Sequence, residues 1–225
     1  GLEEDHSEPW GIFFPSIPYR EDDQMNTFDA IYQRRAVKHF DANHKLTPEE
    51  ETKLLEAAIQ SPTSFNIQHW RFVIIRDPEL RKKIRTEFGN DQAQMTDASL
   101  LILLTADVMA WKKEPQQYWK NAPDEVRDLL ANWMGPFHEG REWLQRDEAQ
   151  RSIGIALQTI MLAAKAMGYD SCPMIGFDIE KVAELVNLPD DHVMGPMVAV
   201  GKKVKDSWPK PGQLPLSELV KENKF

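Results

Sequence analysis

The chain carries one cysteine, Cys172, in 225 residues. No intramolecular disulfide framework can form, and that usage suits a reducing cytosol. Long hydrophobic runs are missing as well. Unbroken apolar stretches stop at five residues, as at Leu100 to Leu104, far short of the ~20 that a membrane-spanning helix needs. Residues 1–25 have neither the basic start nor the apolar stretch of a secretory signal, so the expectation is a soluble, cytoplasmic protein. Several site patterns are absent: GxGxxG, the phosphate-binding P-loop, HExxH and GxSxG. The six histidines include no pair at the i,i+4 spacing of helical zinc ligands, and no metal is expected.

Basic charge is scarce too, with 27 basic against 36 acidic side chains and a net charge of −9. That balance excludes a protein that coats DNA or RNA, whose phosphate contacts need a basic surface. It leaves room for one local phosphate site. The deficit is uneven: residues 1–25 hold seven acids (Glu3, Glu4, Asp5, Glu8, Glu21, Asp22, Asp23) against Arg20 alone. The arm 1–26 also sets Pro9, Pro15 and Pro18 among Trp10, Phe13, Phe14 and Tyr19. It reads as an extended segment pinned by aromatic anchors, docked on a partner subunit. The alternative is a disordered tail, although such tails are usually poor in aromatics. With 41% hydrophobic and 28% charged residues overall, and no repeat or linker, residues 27–225 read as one globular domain.

The pattern within that domain alternates. A helix is expected from Thr27 through Ile31 to Arg34. The next has Thr47 as cap, Pro48 in its first turn and Glu50 completing a capping box, and it stops at Ser61-Pro62. Trp70 to Ile75 predicts a strand, Asp77-Pro78 opens a helix to Phe88, and Leu100 to Thr105 predicts a buried strand. Residues 148–167 predict a helix that is apolar nearly all round, suited to a core or a subunit interface, with Gly168 as its stop. Asp178 caps a short helix to Leu188, and Met197 to Val200 predicts a third strand. Too few strands are present for a doubly wound sheet. The fold class expected is α+β, a small sheet wrapped by helices.

Four local features could carry chemistry, each with a plain alternative. Arg34-Arg35-Ala36-Val37-Lys38 puts three cations at a helix end. That suits either the helix dipole or a phosphate clamp, since guanidinium forks match phosphate oxygens. Ser61 to Trp70 crowds hydroxyls with Asn66 and Gln68, forming either a polar turn or a donor–acceptor set able to read the imide edge of a planar heterocycle. In Cys172-Pro173-Met174-Ile175-Gly176-Phe177-Asp178, Gly176 would allow close backbone approach to a ligand, unless the segment is a plain turn. The fourth feature is the lysine-rich stretch Lys202, Lys203, Lys205 and Lys210, either a solvated tail or further cations for the same anion. Cys172 itself has no readable base partner and reads as a small buried hydrophobe.

In this order, the segments RRAVK, SPTSFNIQHW and PMIGFDIEKVAELVNLP resemble the signature of the flavin-dependent nitroreductase family, over roughly residues 27–220. The resemblance implies an intertwined homodimer built on a small, mainly antiparallel sheet, with FMN at the subunit interface. It further implies ping-pong hydride transfer from NADH or NADPH through flavin N5 to nitroaromatics, quinones or similar acceptors. No catalytic side chain is implied, because the flavin carries the chemistry. Arg34, Arg35, Ala36 and Lys38 would hold the FMN phosphate and neighbouring atoms. Pro62, Thr63, Ser64, Asn66 and Gln68 would line the flavin, partly from the second subunit. The backbone of Pro173, Met174, Ile175 and Gly176 would face the ring, with Gln94 as a polar contact and Lys202 and Lys210 as further phosphate ligands.

This chain departs from the family pattern in three places: Ala36 replaces a serine, Ile175 a glutamate and His69 a proline. The lid-like insertion, about 108–145, holds Trp111, Tyr118, Trp119, Trp133, Phe137 and Trp143. These are either helix packing or a substrate lid, with Trp119, Trp133 and Phe137 as candidates for stacking on an aromatic substrate. Two other readings stand beside this one. One is a specialised flavin enzyme on the same fold, such as an aromatic reductive dehalogenase. The other is a non-catalytic interaction protein that uses the arm.

Overall fold

The computed structural model describes residues 25–225; the expected arm lies, up to residue 24, outside the described residues. Leu100–Asp107 (β2) shows how the sequence builds the core. All eight residues are buried, as a strand covered on both faces requires. Alternate side chains go to opposite faces. Leu100, Ile102, Leu104 and Ala106 join a cluster with Leu54, Ile153, Ala156 and Ile160, while Leu101 and Leu103 join Ile84, Met95, Cys172 and Met197.

Trp70–Ile74 (β1) pairs antiparallel with β2, Trp70 opposite Ala106 and Ile74 opposite Ile102. His192–Gly201 (β4) pairs antiparallel on the other side, Leu100 opposite Val200, with a register shift between Leu103 and Thr105. Asp170–Met174 (β3) completes a four-stranded sheet in the order β1-β2-β4-β3. The sheet is antiparallel and the helices flank it, so the α+β expectation holds. The sequence predicts no strand at β3, since Cys172 to Asp178 reads as a ligand-binding segment or a plain turn. The Asp, Ser and Pro of β3 are poor strand formers, but Pro173 sits in an edge strand, where a missing N–H is tolerated. β4 also begins five residues before the expected Met197.

Two helices cover the face of Leu100 and Ile102. One is Pro48–Ala58 (α2), whose Thr47–Glu50 capping box is formed in both directions. The other is Glu142–Ala166 (α6), which starts six residues before the expected 148 because its first turns are charged and carry little apolar periodicity. Thr27–Gln33 (α1) packs on α6. The opposite face carries Pro78–Lys83 (α3), continued by a π-helical turn at Ile84–Phe88, then Gln94–Asp97 (α4) and Ile179–Leu185 (α7), which is capped by Asp178. Between β2 and α6 lie 3₁₀ turns at Ala110–Lys112 and Pro115–Trp119 and a helix, Asp124–His138 (α5). Past Gly201 the chain runs back beside residues 39–41 and later forms a short exposed helix, Leu216–Leu219 (α8). No helix among the described residues is long and apolar enough to cross a membrane.

Candidate active site

Three of the four sequence features meet at the β3 edge. After α1 the backbone turns extended at Arg34 and lies along β3, bridging Ala36 to Ser171, with Val37 N–H donating to Ser171 O at 3.0 Å. The lysine-rich stretch closes over the same segment. Asp41 N–H donates to Lys202 O and Ser207 Oγ to Ala36 O, the Arg35 guanidinium donates to Trp208 O, and Lys210 Nζ donates to Tyr32 O. Lys38 Nζ lies 3.7 Å from Cys172 Sγ, and Gln94 Nε2 reaches the same sulfur at 3.6 Å from the buried start of α4. Among the described residues, no carboxylate pairs with Arg34, Arg35, Lys38, Lys202 or Lys210.

Beyond β3, Ile175 is exposed, and neither its N–H nor that of Gly176 donates within the described residues. The turn is held from behind, because Asn90 Nδ2 and Gln92 Nε2 both donate to Gly176 O, at 2.8 and 2.9 Å. Free backbone donors beside unpaired guanidinium and ammonium groups form a donor set for a phosphate and an electron-rich ring.

The Ser61–Trp70 segment sits at the other sheet edge, before β1. Its backbone is left-handed at Phe65, Asn66 and Gln68 (φ 54, 55 and 53°), which is uncommon for residues other than glycine and a marker of functional loops. Thr63 Oγ1 accepts from Gln68 N–H at 3.0 Å, and fully buried Ile67 anchors the turn. The aromatic segment after β2 packs onto it. Asn66 Nδ2 donates to Tyr118 O and Trp119 Nε1 to Phe65 O, both at 2.8 Å. Between them opens a cleft of about 820 Å³, lined by Asn66, Gln68, Trp70, Arg71, Tyr118 and Trp119 among others.

A family model described as the nitroreductase family matches residues 31–202. The chain belongs to the nitroreductase family. It is 66% identical over 201 residues to protein DrgA of Synechocystis, a match covering 87% of this chain and 95% of that protein. A Bacillus subtilis protein provisionally named NAD(P)H nitroreductase MhqN is 30% identical over 202 residues, covering 84% and 95%. A provisionally assigned nitroreductase from Exiguobacterium sibiricum, solved in complex with FMN, superposes with a TM-score of 0.80 at 26% identity, covering 88% of this chain and 97% of that one.

Within this nitroreductase, the predicted residues therefore fall into two groups at opposite sheet edges. Arg34, Arg35, Ala36, Lys38, Gln94, Pro173 to Gly176, Lys202 and Lys210 gather at β3. Pro62, Thr63, Ser64, Asn66 and Gln68 gather before β1. Three strand spacings, about 14 Å, separate the edges. The stacking candidates also divide. Trp119 lines the cleft, Trp133 stands exposed on α5, and Phe137 is half-buried 5.2 Å from the Phe65 ring. His69, the departure from proline, is buried and reaches Ser152 on α6 through Nδ1 at 2.9 Å. Burial pushes its pKa down to about 4. Sequence reasoning passed over Asn90 and Gln92, whose role depends on a carbonyl more than 80 residues away. Their only local signal was two carboxamides just before Gln94.

Proposed function

We propose that this chain is an FMN-dependent NAD(P)H oxidoreductase that reduces nitroaromatics, quinones or related electron-poor acceptors, and that it works as a homodimer. The observation that carries the reading is the set of cations Arg34, Arg35, Lys38, Lys202 and Lys210, which pair with no carboxylate among the described residues, together with the Ile175 and Gly176 N–H groups beyond β3, which donate to none of those residues. In a chain of net charge −9, cations without a carboxylate partner among the described residues suit a bound anion. Arg34, Arg35 and Lys38 would hold the FMN phosphate, with Lys202 and Lys210 adding to the field. The Ala36 position contributes backbone alone. The Ile175 and Gly176 N–H groups would hydrogen-bond the electron-rich edge of the ring, and Asn90 and Gln92 fix that turn. Bound FMN supplies the redox chemistry between NADH or NADPH and the acceptor. The protein binds, orients and excludes water, and no side chain need act as nucleophile.

A second copy supplies what one chain lacks. The loop Pro62 to Gln68 is remote from its own cation cluster, so the loop of the other subunit would complete the flavin site. Apolar side chains left in the open support that assembly: Phe28 and Tyr32 on α1, and Trp208, Leu216 and Leu219 towards the C-terminus. The test is the visible spectrum of purified protein, then anaerobic titration with each nicotinamide. Arg34→Ala should lose FMN far more readily than Lys205→Ala. Equal flavin occupancy in the two variants would overturn the phosphate assignment, and a colourless protein that takes up no FMN would overturn the function.

A further inference from the structure

The cleft between the strained loop and the Pro115–Trp119 turn has a one-sided charge. Its walls are aromatic, from Trp70, Phe72, Tyr118 and Trp119, and among the described residues its charged lining is Arg71 and Lys120, without an aspartate or glutamate. Arg71 is fixed rather than free, since Nη1 donates to Trp70 O at 2.6 Å and Gln68 O at 3.1 Å while about half of the side chain stays exposed. Its nearest carboxylate, Asp107, is 3.8 Å from Nη2 and already accepts from Lys113 Nζ at 2.7 Å, so Arg71 is weakly neutralised. Lys120 is exposed and pairs with no carboxylate among the described residues.

From this geometry we infer that the cleft selects aromatic acceptors bearing an anionic group, such as an aromatic carboxylate. Trp119 offers the stacking face, and Arg71 and Lys120 hold the anion at the mouth. A guanidinium anchored on backbone carbonyls and an exposed ammonium, both lining one aromatic cleft, would recognise a carboxylate by charge-assisted hydrogen bonds. Asn121 also lines the cleft and adds an amide donor. The inference rests on the oxidoreductase reading for its turnover assay, but its binding assay stands apart from it.

The experiment compares 4-nitrobenzoate with its neutral isostere 4-nitrobenzamide under saturating NADPH, in the wild type, Lys120→Gln, Lys120→Arg and the remote control Lys53→Gln. The wild type should prefer the carboxylate. Lys120→Gln should raise the KM ratio of carboxylate to amide by about three- to tenfold, with kcat changing less. Lys120→Arg should restore the ratio and Lys53→Gln should leave it alone. Raising salt from about 0.1 M to about 0.5 M should erode the wild-type preference. Quenching of tryptophan fluorescence by each compound, without nicotinamide, should give Kd values that move in parallel. An unchanged ratio in Lys120→Gln, or identical Kd values for the two compounds, overturns the inference. A change confined to NADPH against NADH also overturns it, since the anion would then be the 2′-phosphate of the dinucleotide. If the wild type reduces neither compound, reduction of nitroaromatics fails as part of the oxidoreductase reading, while the quenching titration still decides the cleft.

Discussion

Acid should reveal the cost of keeping His69 neutral inside the fold. The ring is 1% exposed, at the end of the strained loop and against α6. Burial pushes its pKa from 6.5 to about 4, with His138 and Arg71 acting in the same direction and Asp107 opposing them. Between those two values the unfolded chain binds the proton that the folded chain refuses, so stability falls as pH drops through that window. The contribution is fully present above pH ~6.5. By pH ~4.5 most of its limit of about 3 kcal/mol is lost. His69→Gln removes the titration while leaving an amide within reach of Ser152. Urea unfolding followed by fluorescence at several pH values between ~7.5 and ~4.5 should therefore show the wild type losing about 2–3 kcal/mol more than the variant. His138, also buried and lowered, leaves a smaller slope in both. Asp191 is held down to about 2 by hydrogen bonds from Lys113 and His192. Its stabilising share disappears only below its ordinary 3.8, outside the window. Parallel curves for the two proteins would refute the reasoning.

A methyl group at Gly195 would sit 2.7 Å from Ile153 Cγ2 and 2.8 Å from Leu104 O, with no flexible side-chain end to yield. Gly195→Ala should cost about 1–3 kcal/mol, read as a lower urea midpoint. Gln92→Ala removes one of the two side-chain donors on Gly176 O and should weaken FMN binding about three- to tenfold in a fluorescence titration. Its Tm should move less than that of Gly195→Ala.

Local chemistry made much of this fold readable. The capping box at Thr47 and Glu50, the caps at Asp77 and Asp178, and the apolar run of β2 each specify their element within a few residues. The candidate site was readable as three segments because each concentrates unusual donors in a short stretch. What escaped depends on distant partners. β3 becomes a strand because β4 offers its ladder, not because Asp170, Ser171 and Pro173 favour one. α5 holds Gly135 and Pro136 in its last turns, residues that argue against a helix when read alone. The left-handed backbone at Phe65 has no signature in a bulky aromatic. It follows from Ile67 burying itself and from Trp119 grasping the carbonyl of Phe65.

That strain bears on how many chains make a site. A left-handed non-glycine residue costs on the order of 1 kcal/mol or more, and this loop holds three in four positions. Such a conformation persists only where the surroundings impose it. Here buried Ile67, the Thr63 hydroxyl and the Tyr118–Trp119 turn all do so within one subunit. The loop is therefore formed before any ligand arrives, yet it faces away from the cations of its own chain by the width of the sheet. In a twofold dimer every contact across the interface occurs twice, a group i of one copy on a group j of the other and j on i. One loop and one cation cluster from different subunits would then form each of two equal sites. Dilution should in consequence release FMN and separate the subunits over the same concentration range, measured by flavin fluorescence and sedimentation. A monomer that retained its flavin at full affinity would contradict the composite site while leaving the family assignment intact.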